Sequence, residues 1–170
     1  MKQLITILLT LFTLISYSQT ELDQEIFKVV NEYRISNGLT PWIWSQETFV
    51  ACEFHNSYQT KIKNIKHHET QNVKSHTEIR TVGKRLESQG IDWSACGENL
   101  AVINTTGLSV QEAAVKILKS WIASKPHHEL LLEDFYYQYG ALSSTTQDDW
   151  VGAKYEESVW TYVTLNVYGD

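Results

Sequence analysis

The segment from Ser109 to Ile122 constrains the fold more than any other. Ser109 and Glu112 have the spacing of a capping box, and Val110, Ala113, Ala114, Ile117, Leu118, Trp121 and Ile122 follow the helical repeat without a miss. A helix with so broad an apolar face buries it against another layer. Two later segments, Tyr136 to Ser144 and Ser158 to Tyr168, are rich in aromatic and β-branched residues, and Trp160 to Leu165 alternates in character, as a half-buried strand does. Gln147-Asp148-Asp149 reads as a turn between them.

Upstream, the apolar residues Leu22, Ile26, Val29, Val30 and Tyr33 mark one helix face, which Asn37-Gly38 closes. Leu39 to Trp44 reads as an extended connector. Ser45 then caps a second helix from about Gln46 to Lys61, with Glu47 in its first turn. Residues 64 to 80 are polar and aperiodic, a long surface loop whose histidines His67, His68 and His76 read as solvated. Val82 to Gln89 forms a short helix closed by Gly90, and Ser124-Lys125-Pro126 breaks the long helix before a short turn that starts at His127. Helices come first and strands later, with no βαβ alternation and no glycine-rich phosphate loop, which predicts an α+β layered domain.

The first stretch stands apart from that domain. Lys2 gives a positive start, Leu4 to Ile15 is an apolar run broken only by threonines, and Ser16-Tyr17-Ser18 supplies small residues for a signal peptidase. Residues 1–18 are expected to be a signal peptide and 19–170 a single domain. The run is too short for a stable membrane anchor, and the alternative is an N-terminal core helix. Export makes the protein secreted, periplasmic or otherwise extracytoplasmic. The formal charge of −6 becomes −7 when Lys2 leaves with the leader, which argues against nucleic acid as a partner.

Three distant segments carry polar residues that suit one cleft: Cys52-Glu53-Phe54-His55, Cys96-Gly97-Glu98-Asn99 and Pro126-His127-His128. On the second helix Ala51, Cys52, His55, Gln59 and Ile62 share a stripe, so His55 projects from the side that packs. Taken alone, such a histidine reads as a satisfied core residue. Two histidines and a carboxylate from separate segments also suit a divalent ion such as zinc with water in an open position, although no His-Glu-x-x-His helix is present. In an oxidising compartment Cys52 and Cys96 are expected to pair, which would tether His55 to Glu98 and stabilise the chain by about 4 kcal/mol. The alternative is two separately buried thiols.

Asn31-Glu32-Tyr33-Arg34, Ser36-Asn37-Gly38-Leu39, Trp44, His55, Gly97-Glu98-Asn99-Leu100, Trp121-x-x-Ser124 and Pro126-His127, in that order, resemble the bacterial branch of the CAP superfamily, also called SCP-like. The resemblance spans about Glu21 to Tyr168. It implies a three-layer α-β-α sandwich with a large cleft that in some members holds zinc or another divalent cation. By the same resemblance His55 and His127 match the cleft histidines and Glu98 the glutamate of the Gly-Glu-Asn motif. Ser124 stands where animal members carry a second glutamate, and His128 where the bacterial pattern has arginine, so His128 is not taken as a ligand. The loop histidine of the family matches His68 or His76. Tyr139-Gly140-Ala141 and Trp160 to Val163 look like its central strands.

The resulting expectation is a secreted binding protein. His55 and His127 would hold a metal, Glu98 and Ser124 would lie beside it, and the ligand would be an extracellular small molecule, lipid, peptide or cell-envelope component. The alternative is a zinc-assisted hydrolase with Glu98 as the catalytic general base. A serine mechanism through Ser124 and His127 has no identifiable oxyanion hole. A purely structural or interaction role would leave the cleft a satisfied polar network without metal.

Overall fold

The computed structural model describes residues 18–69, 81–148 and 158–169. Among the described residues five helices and four strands follow in the order α1 (Glu21–Ser36), β1 (Ile43–Trp44), α2 (Gln46–Ile62), α3 (Val82–Ser88), β2 (Ala95–Asn104), α4 (Val110–Ile122), α5 (Lys125–Leu132), β3 (Tyr139–Asp148) and β4 (Val159–Gly169). The expected leader falls mostly on residues outside the described ones.

The helix ends follow the local chemistry. Thr20 and Ser109 each accept from the third backbone N–H of their helix while Asp23 and Glu112 reach back, so α1 and α4 both open on complete capping boxes. Ser45 caps α2 by accepting from Thr48. Gly38 and Gly90 adopt φ of +77° and +78° just beyond α1 and α3, a conformation that glycine enters without steric cost.

The strands form one sheet in the order β1-β3-β4-β2. The short β1 runs parallel to β3, and β4 pairs antiparallel with both β3 and β2. β2 was not expected as a strand, because Cys96 to Asn99 is polar and Leu100 to Ile103 is a continuous apolar run. Gln147 and Asp148, expected in a turn, continue β3; Asp149 lies outside the described residues.

Alternation along β4 sorts the two faces. Val163, Leu165 and Val167 join Ile26, Val30, Ile117, Leu118, Trp121, Leu131 and Leu142 in the main core, beneath α1, α4 and α5. On the opposite face, Thr164 accepts from Gln59 and donates to Asn56, and the Asn56 amide donates to the carbonyls of Ser143 and Tyr162. Thus α2 meets the sheet through a buried polar seam, with a small apolar cluster of Ala51, Leu86 and Ile91 beside it. This is the expected three-layer α-β-α sandwich.

Two buried charges fasten the layers. Asp23 accepts from the backbone N–H and hydroxyl of Ser144, tying the start of α1 to β3. Arg34 donates to the carbonyls of Thr40, Leu131 and Glu133 and to Asp134, with its guanidinium 4.3 Å above the Trp42 ring. It thereby fixes the end of α5 against the end of α1.

The two cysteines are free, contrary to the expected disulfide. Cys52 is buried and donates to the Ala141 carbonyl at 3.3 Å, while Cys96 packs against the Leu86 cluster with Trp93 and Tyr168. Each thiol is already housed among different neighbours. Burial, the largest effect, pushes both thiols above their ordinary value.

Candidate functional site

The site straddles β2, the edge strand opposite β1 in the sheet. Alternation turns Cys96 and Glu98 toward the α2 and α3 layer, while Gly97 and Asn99 face α5. A side chain at Gly97 would meet Leu130 Cδ1 at 2.7 Å and the Tyr137 hydroxyl at 3.1 Å, so glycine permits α5 to approach closely. Asn99 then donates to the His127 carbonyl at 2.9 Å, fixing the first turn of α5. Thus the Gly-Glu-Asn triplet places a helix on one side of the strand and a carboxylate on the other.

Glu98 is the centre of the polar cluster. Its side chain is 3% exposed, its Oε2 accepts from Arg85 Nη2, and its Oε1 lies 3.0 Å from His67 Nδ1 and 3.8 Å from His55 Nε2. The amide of Asn166, its partner in the β-ladder, sits 3.0 Å from Oε2 when its nitrogen is turned toward the carboxylate. Burial alone would raise the Glu98 carboxyl. The hydrogen bond from His67, with the charge of Arg85, outweighs burial and lowers it.

His55 is fully buried on α2, and its Nδ1 lies 3.0 Å from Glu69 Oε1. Its Nε2 has no hydrogen-bond partner among the described residues. The Arg85 guanidinium, 0% exposed, also approaches Glu69 Oε1, with Nη1 at 3.9 Å. His127 joins from α5, its ring centroid 6.4 Å from that of His67. Burial, then the charge of His67, lowers the His127 imidazole below its ordinary value, keeping it neutral near pH 7.

His55, Glu98 and His127 therefore share one neighbourhood, His55 directly against Glu98 and His127 through His67. Ser124 does not take part in these contacts; it occupies the N-cap position of α5 with no side-chain cap bond. His128 bonds the Tyr33 hydroxyl at 2.7 Å. His68 is exposed, and His76 lies outside the described residues. Sequence reasoning missed His67, Glu69 and Arg85. The adjacent imidazoles and carboxylate in His67-His68-Glu69 were the available signal.

The imidazoles fit a cation only in part. The open Nε2 of His55 and the neutral ring of His127 are suitable donors, but no group of three or more His, Cys, Asp or Glu is placed to hold a metal among the described residues. Arg85 already supplies a positive charge to Glu98.

A family model for CAP, the cysteine-rich secretory protein family, matches residues 27–167. The chain belongs to the CAP family. Solved CAP structures agree on the fold. An extracellular protein containing an SCP domain from Bacillus anthracis superposes with a TM-score of 0.63 at 19% identity, over 88% of this chain and 40% of that one. An outer surface protein of Borrelia burgdorferi gives 0.60 at 13% identity, over 89% and 97%. A cysteine-rich secretory protein of Staphylococcus aureus gives 0.57 at 14%, over 91% and 40%. The CAP domain here thus spans about two fifths of the length of the Bacillus and Staphylococcus proteins. No curated protein matches the chain significantly by sequence. Among the described residues no helix is long and apolar enough to cross a membrane.

Proposed function

We propose that this CAP domain is an exported binding protein. Its cleft takes a divalent cation such as zinc on the imidazoles of His55 and His127, beside an extracellular ligand of lipid, peptide or cell-envelope type. The observation that carries the reading is the Nε2 of His55, buried and without a hydrogen-bond partner among the described residues, 3.8 Å from Glu98 Oε1. A buried nitrogen with an unused lone pair is costly unless something binds it. The neutral His127 ring and the extracellular or surface character of the similar proteins support the same reading.

Hydrolysis with Glu98 as general base has less support. Both carboxylate oxygens are engaged, by His67 and Arg85, and the lowered carboxyl is a weak proton acceptor. Zinc calorimetry on the native protein and on His55→Ala and His127→Ala tests the binding reading. Weakening by at least tenfold in each variant is expected; equal affinity in all three proteins would overturn it. Zinc-dependent ester hydrolysis that disappears in Glu98→Gln would restore the enzymatic alternative.

A further inference from the structure

We propose that Glu69 is the positioning residue for His55: its carboxylate takes the Nδ1–H bond and leaves the Nε2 lone pair as the open position of the cleft. The inference rests on the reading of His55 as a ligand, but its physical content is independent of any metal. An ionised carboxylate only accepts hydrogen bonds, so a ring nitrogen 3.0 Å from Glu69 Oε1 carries the hydrogen. In a neutral imidazole the other nitrogen is then bare.

The surroundings favour this tautomer. His55 is 0% exposed and the Glu69 side chain 5% exposed, so water does not compete for either group. A proton on Nε2 would be a buried donor whose nearest carboxylate oxygen, Glu98 Oε1, is 3.8 Å away, beyond hydrogen-bond reach. Arg85 reaches both carboxylates, through Nη2 to Glu98 and through Nη1 at 3.9 Å to Glu69. Its guanidinium faces both carboxylates, with Glu69 aimed at one edge of the ring and Glu98 at the other. Histidines that bind metals commonly donate their second ring N–H to a carboxylate, and removing that partner weakens binding about 10–100-fold.

The test is long-range proton–nitrogen NMR on metal-free protein with 15N-labelled histidine, at a pH above the histidine titration range. Native His55 should show a protonated Nδ1 and a bare Nε2. In Glu69→Gln, whose amide can also donate to Nδ1, a population protonated at Nε2 should appear, and zinc affinity should fall about 10–100-fold. A native His55 protonated at Nε2, or at both nitrogens, overturns the proposal without any variant. So does a Glu69→Gln spectrum identical to the native one in a protein with native chemical-shift dispersion. A native protein that shows the expected tautomer and its loss in Glu69→Gln, yet binds no zinc, supports the role of Glu69 while refuting the metal reading.

Discussion

Arg85 Nη2 donates to Glu98 Oε2, joining the short helix α3 to the edge strand β2 through a pair in which neither side chain is more than 3% exposed. Removing one partner of such a pair strands the other charge out of water. Arg85→Met should therefore destabilise the protein by about 3–5 kcal/mol, and adding Glu98→Gln should recover part of that loss. Urea unfolding of the single and double variants measures both. A single variant within about 1 kcal/mol of native stability would mean that water solvates Glu98 after all.

Glu53, on α2 next to Cys52, gives a pH dependence of opposite sign to that of a paired carboxylate. Burial, then the charge of Asp23, raises its carboxyl from 4.5 to about 7. The folded state holds this proton more tightly than the unfolded chain, so the stabilisation is complete below about pH 4.5 and lost as pH rises through about 7. Solvent around the partly exposed side chain limits the effect to about 1–2 kcal/mol. Glu53→Gln should flatten the stability profile between these limits, as thermal unfolding across pH 4.5 to 8 would record.

The free thiols predict a distinct reactivity pattern. Cys52, enclosed beneath β3 and bonded to Ala141, should resist thiol reagents at pH 7 in the native protein, and Cys96 should react slowly. Both should react in guanidinium without prior reduction. Loss of this titration, restored by reductant, would show that the pair had oxidised.

The helices were legible because caps and apolar spacing leave a local imprint. Ser45, Ser109, Gly38 and Gly90 mark their ends, and α4 shows its buried face residue by residue. β2 was harder to read, since its polar half serves the cleft and its apolar half lacks alternation. The roles of His67, Glu69 and Arg85 were not legible for a different reason. A loop has no period, and a buried arginine looks the same in sequence as a solvated one until tertiary packing brings Glu98 beside it. The paired-cysteine expectation failed on direction: Cys52 points to β3 and Cys96 toward α3. His55 and Glu98 come together without that tether, through Arg85 and Glu69.

The most direct test of the cleft's role is an anomalous difference map at the zinc edge from crystals equilibrated with zinc. A peak is expected at about 2.0–2.1 Å from His55 Nε2 and from a ring nitrogen of His127. A map with no peak at those two nitrogens at saturating zinc would contradict it.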